Sequence, residues 1–91
     1  MTFEWDPRKA ARNLRQHRVS FQDAATVFGH LLSLTFEDPD HSNEEQRYLT
    51  VGMSAAGRLL VLAHTDRGGI IRIISARETT LRERRQYEEK D

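Results

Sequence analysis

Apolar positions along the first thirty residues recur at helical spacing after a brief extended start. Thr2 to Trp5 reads as a short strand. Asp6-Pro7 then opens a helix, with Asp as N-cap and Pro at the first helical position, where its missing N–H costs nothing. Ala10, Leu14 and His17 fall at i, i+4 and i+7 and predict a helix to about His17. Ser20 with Asp23 has the spacing of a weak capping box for a second helix through Phe21, Ala24, Ala25 and Phe28, which Gly29 ends.

From Leu31 the period becomes two. Leu32, Leu34 and Phe36 alternate with Ser33 and Thr35, as in a half-buried strand, and a polar loop with Pro39 follows. Gln46 to Met53 is the next strand, with Arg47, Leu49, Val51 and Met53 on one face. After the turn Ser54-Ala55-Ala56-Gly57, Arg58 to Thr65 is apolar on both faces, which predicts a central strand. Asp66-Arg67-Gly68-Gly69 is a second hairpin signal, and Ile70 to Ser75 returns. Ser75 and Glu78 have capping-box spacing, predicting a charged helix from there to the C-terminus. The order is β-α-α-β-β-β-β-α. It describes one α+β domain over residues 1–91, a small antiparallel sheet with two N-terminal helices and one C-terminal helix.

Composition narrows the function. The hydrophobic share is 37%, below the ~45–50% of ordinary globular chains, so the core is thin. The chain has no cysteine, which removes disulfides, thiolate catalysis and cysteine-ligated zinc. The longest aliphatic run, Leu59 to Ala63, falls far short of the ~20 residues of a membrane span. No basic stretch followed by an apolar one opens the chain, so a cytoplasmic protein with no membrane association is expected.

Charge is balanced at 14 basic against 14 acidic residues, yet unevenly placed. Residues 1–30 hold five basic against three acidic groups, residues 31–66 two against six, and residues 67–91 seven against five. Twelve of the basic residues are arginines, whose rigid fork of donors matches phosphate oxygens in pairs. Zero net charge argues against a general nucleic-acid coater, but local arginine clusters remain able to bind a single phosphate.

Arg72 sits within Ile70-Ile71-Arg72-Ile73-Ile74, where a guanidinium needs either an ion pair or an open sheet face. Arg47 raises the same question. Arg77 falls at the start of the predicted last helix, where free amides favour an anion, and Glu83 and Tyr87 share a face further along it. Tyr87 there serves either as the single aromatic of a lightly packed helix or as a stacking platform for a base. His41 lies in the acidic loop before Glu44, Glu45 and Arg47, and His64 ends the central strand with the parity of Leu60 and Leu62. A set of histidine, carboxylate and arginine suits metal-free RNA cleavage: a base deprotonates a 2′-OH, an acid protonates the leaving oxygen, and arginines neutralise the phosphate. Neither HExxH nor His-x-His spacing occurs, so no metal or other cofactor is expected.

These residues also carry a resemblance. The chain resembles the BrnT family of type II toxins, small ribonucleases whose fold is similar to RelE-type toxins. Phe3-Glu4-Trp5-Asp6-Pro7 with Lys9, Asn13, His17, Val19, Phe21 and Ala24 follows the family's N-terminal pattern. Glu45-Gln46-Arg47 with Gly52 and Arg58 follows its middle, and Ile71 to Arg77 with Glu83 and Tyr87 its C-terminal part. Gln16-His17-Arg18 departs from it, since the pattern often reads Lys-His-Gly there. The resemblance implies a toxin that cleaves RNA without a metal, by 2′-OH attack on the adjacent phosphate, and inhibits translation. Its implied partner is a BrnA-type ribbon-helix-helix antitoxin, with DNA reached only through that antitoxin.

The candidate catalytic residues are therefore Glu45, Arg47, His64, Arg72, Arg77 and Tyr87, and the candidate RNA-binding residues Lys9, His41 and Glu83. The alternative is a catalytically inactive toxin fold that serves as an interaction or co-repressor module for a ribbon-helix-helix partner. Direct DNA recognition ranks last, for want of a basic recognition helix at helix-turn-helix spacing.

Overall fold

In a computed structural model, which describes residues 1–38, 40 and 45–89, the two predicted N-terminal caps form. The Asp6 carboxylate accepts from the Arg8 amide at 2.8 Å and opens α1 (Pro7–His17). Ser20 Oγ accepts from the Asp23 amide at 3.0 Å and opens α2 (Phe21–Ala25). Arg18 ends α1 in the left-handed region, at φ 59°. The second helix stops earlier than its apolar spacing suggests: after Ala25 the chain tightens into a 3₁₀ turn, Thr26–Gly29.

Five strands form one sheet: β1 (Thr2–Glu4), β2 (Leu34–Glu37), β3 (Tyr48–Met53), β4 (Leu59–Arg67) and β5 (Ile70–Glu78), in the spatial order β1-β5-β4-β3-β2. From β2 to β5 all pairs are antiparallel, and β4 is flanked on both sides as its two apolar faces predict. β1 joins parallel to β5, with Glu4 opposite Arg72, so the sheet as a whole is mixed. Gly68 and Gly69 make the β4–β5 turn at φ 58° and 87°, values that disfavour any side chain. Asp66 and Arg67 belong to β4 itself.

One expectation fails. Ser75 to Glu78 is not a helix start but the end of β5, where Val61 pairs with Arg77 and Leu60 with Glu78. Ladder bonds to a central strand outweigh a local cap spacing. The last helix, α3 (Leu81–Glu88), starts one cap later. Thr80 Oγ1 accepts from the Glu83 amide, and the Glu83 carboxylate accepts from the Thr80 amide, a reciprocal capping box.

The helices divide the faces of the sheet. α1, α2 and the 3₁₀ turn cover one face, where Val19, Phe21, Ala24 and Val27 bury Leu60, Leu62, Ile73 and Ala76. Gly52 faces the 3₁₀ turn so closely that a Cβ would lie 2.8 Å from Val27 Cγ1. The opposite face carries Leu34, Phe36, Leu49, Val51, Val61 and Ala63, and among the described residues only α3, which buries no residue fully, leans over it. A register shift between Ala63 and His64 places an extra residue, Ile74, in β5. Because of it Arg72, Ser75 and Arg77 all share the open face, despite their mixed parity.

Candidate functional site

The open face forms a groove of about 280 Å³ between the sheet and α3, near the lower end of the ~300–1,000 Å³ typical of ligand pockets. Leu34, Phe36, Leu49 and Val51 make its floor, and Arg77, Glu83 and Tyr87 stand at its rim. Arg77 and Glu83 bind each other at two points, Nη1 to Oε1 at 2.7 Å and Nη2 to Oε2 at 2.9 Å. That pairing, helped by the Thr80 amide, holds the Glu83 carboxyl down to about 2, so it is ionised throughout the neutral range. Glu83 in turn raises the Arg77 pKa. The Tyr87 hydroxyl donates to the Leu32 carbonyl at 2.7 Å, which ties α3 to the chain entering β2.

A second cluster lies at the far end of the same face. Glu45 accepts two hydrogen bonds from Arg67, one of them from Nη2 at 2.9 Å. The Arg67 bond lowers the Glu45 pKa most, and the charges of Arg47 and Arg72 lower it further. Arg72 also lies 3.5 Å from Glu4. Glu45, Arg47 and Arg72 are thus brought together, and Arg67 with them. Sequence reading missed Arg67 by assigning it to a turn, although it continues the parity of Val61, Ala63 and Thr65 along β4.

The expected step from strand to helix between Arg72 and Arg77 is absent. Both lie in β5, five residues and one bulge apart, roughly 15 Å at a strand's rise. They are too far apart to clamp one phosphate.

The remaining candidates scatter. His64 is only 4% exposed and faces the helices, not the groove. Its Nε2 lies 2.7 Å from Thr50 Oγ1, Phe28 meets its ring edge-on, and Tyr48 stacks on it. Burial pushes its pKa down, against a smaller opposing effect of Asp66. A ring enclosed in this way reaches no substrate on the open face. Lys9 is on α1, beside the outer edge of β5. His41 lies outside the described residues.

Comparison with known proteins fits this architecture. The family model described as "Ribonuclease toxin, BrnT, of type II toxin-antitoxin system" matches residues 5–83. No curated protein matches the chain. Among solved structures, the 1.1 Å crystal structure of the Brucella abortus ribonuclease toxin BrnT is similar in fold, with a TM-score of 0.67 and 22% identity. The similarity covers 88% of this chain and 97% of that one. The family match spans most of the sequence, from Trp5 in β1's extension to the Glu83 that holds Arg77, and the chain belongs to the BrnT family of ribonuclease toxins of type II toxin–antitoxin systems.

Proposed function

We propose that the protein is an endoribonuclease that cleaves RNA at the open-face groove through side-chain chemistry alone. The observation that carries this reading is an arginine fixed at the rim of an apolar, base-sized groove: Arg77, gripped by Glu83 and followed by Tyr87. A nucleobase rests on the apolar floor beside Tyr87 while its phosphate meets the Arg77 guanidinium. Cleavage forms a bond between the 2′-oxygen and phosphorus and breaks the bond from phosphorus to the 5′-oxygen. The 2′-proton leaves to a base, and the departing oxygen gains a proton. The products are a 2′,3′-cyclic phosphate and a 5′-hydroxyl.

Glu83 is a poor base at a pKa of about 2, so its part is to position Arg77. The described carboxylates on this face are each engaged by an arginine: Glu83 by Arg77, Glu45 by Arg67 and Glu4 by Arg72. Charge neutralisation thus falls to guanidinium groups, which supports a mechanism without a metal. In the cell the same activity inhibits translation, and a ribbon-helix-helix antitoxin of the BrnA type holds it in check.

Purified protein incubated with single-stranded RNA in EDTA tests the reading. Fragments ending in a 2′,3′-cyclic phosphate are expected. RNA left whole in EDTA but cut after a divalent metal is added would exclude the mechanism. RNA left whole under both conditions would favour the non-catalytic interaction module.

A further inference from the structure

The groove does not account for the most basic element of the chain. α1 carries Arg8, Lys9, Arg12 and Arg15 and no acidic residue. Among the described residues none of these four side chains has a carboxylate partner. Of the described carboxylates only that of the N-cap, Asp6, offsets this charge, through Lys9, and the remaining like charges on one eleven-residue helix favour an anion among them.

Two of them face a cleft. Lys9, Arg12, Gln16 and His17 fall at i, i+3, i+7 and i+8 and line a cavity of about 230 Å³ whose other wall is Ile74 and Ser75. That wall is the bulge of β5. β1 pairs with β5 only as far as Arg72, and the Asn13 side chain takes both the Ala76 carbonyl and the Ala76 amide. Among the described residues no strand therefore pairs the outer edge of β5 at Ile74 and Ser75. The fold sets an exposed serine and an unpaired strand edge against a cationic helix face, and Asn13 locks the two together.

The cleft meets the groove. Ser75 lines both, and Arg77 is two residues further along β5, roughly 7 Å away. We propose that the α1–β5 cleft is a second phosphate subsite of the RNA site, one that binds the backbone of a strand already held at Arg77. Lys9 and Arg12 supply the charge. Gln16, His17 and Ser75 supply hydrogen-bonding groups. The proposal rests on the ribonuclease reading, and it names what lies beyond the reacting phosphate: at least one further nucleotide, led over Ser75 toward α1. The protein then prefers an oligonucleotide to a dinucleotide through charge on a helix that takes no part in the chemistry.

The test is fluorescence anisotropy with a labelled single-stranded 12-mer RNA bearing 2′-O-methyl groups, which removes the nucleophile and leaves binding alone. The double variant Lys9→Gln/Arg12→Gln should bind at least tenfold more weakly. Its plot of log affinity against log salt should flatten by about 0.7, the contribution of the one single-strand phosphate that the subsite holds. The control Arg84→Gln/Arg85→Gln removes the same charge from α3 and should shift affinity far less. Melting curves of each variant establish that it is folded, and Arg12→Glu, a single exposed change, should weaken binding on its own. Unchanged affinity and salt slope in the Lys9/Arg12 variant would overturn the subsite, as would an equal loss in the Arg84/Arg85 control. Failure to cleave unmodified RNA, with binding still dependent on Lys9 and Arg12, would overturn the ribonuclease reading and leave the subsite standing.

Discussion

In the proposed mechanism Arg77 works through its shape as much as its charge. Glu83 holds the guanidinium by two parallel bonds, a geometry no ammonium reproduces. Arg77→Lys should therefore lose about 100–1,000-fold in RNA cleavage, the usual cost of one transition-state donor. Arg84→Ala removes an exposed cation whose neighbour is Glu88, 3.7 Å away on the same helix, and should change the rate only a few fold. Cleavage rates and melting temperatures of both variants check this. An Arg77→Lys protein that cleaves normally, or loses rate only in step with unfolding, removes Arg77 from the chemistry. His64 makes the opposite kind of contribution. Its ring is buried with Nδ1 unpartnered among the described residues, and its pKa lies below the ordinary 6.5. The unfolded chain thus binds a proton more readily than the folded one. Stability is at its full value above pH 6.5 and declines as the pH falls through 6.5 toward the folded pKa, by at most about 1.4 kcal/mol per pH unit. The melting temperature should drop between pH 7.5 and 5.5, and His64→Gln should flatten that drop. Identical pH profiles would show that another group is responsible.

At the scale of elements, one side chain joins the helical layer to the sheet. Asn13 Nδ2 donates to the Val19 carbonyl at 3.0 Å and the Ala76 carbonyl at 2.7 Å, while Oδ1 accepts from the Ala76 amide at 3.1 Å. The amide stands where a longer β1 would pair with β5. Asn13→Leu keeps the branched outline but strands these buried groups, and should cost about 2–4 kcal/mol in urea denaturation. Asn13→Asp places a carboxylate against two carbonyl oxygens and should be worse still. Near-native stability of the Asp variant would disprove the clamp. Much of this level was legible in the sequence. Asp6-Pro7 and Ser20 mark both helix starts, and the two-faced apolar run marks β4 as central, because caps and burial are local or periodic signals. The bulge was not legible. Ile70 to Ile74 is branched and apolar on either side of Arg72, so nothing in its alternation reveals an extra residue or the parity change after it. The last helix was misplaced for a related reason. Ser75 with Glu78 and Thr80 with Glu83 are equivalent cap spacings locally, and only the pairing of Arg77 and Glu78 with β4 decides between them. The site followed suit. Glu83 and Tyr87 share one helix face as their spacing predicts, whereas His64, a catalytic candidate, lies in the core, where its parity with Leu60 and Leu62 puts it.

For the whole molecule, zero net charge conceals a polarity of function. One face of the sheet is sealed by helices and keeps the fold. The other is apolar in its centre, ringed by arginines and, among the described residues, covered only by α3. On the proposed reading a toxin built this way can lose its activity without losing its structure, because Arg77, Glu83 and Tyr87 at the groove's rim stand outside the buried core. Membership of a type II toxin–antitoxin family then gives a prediction in cells. Expression of the unaltered chain alone should arrest growth, and co-expression of its cognate antitoxin should restore it. Arg77→Lys should accumulate as folded protein and leave growth unimpaired, since what it lacks is the proposed phosphate contact and not the sealed face. Asn13→Leu should also be harmless, but for the other reason: it should accumulate poorly, with a lowered melting temperature. Growth curves paired with soluble-protein levels separate the two. If Arg77→Lys arrests growth as strongly as the unaltered chain at equal soluble levels, toxicity arises elsewhere on the molecule and the groove is not its seat.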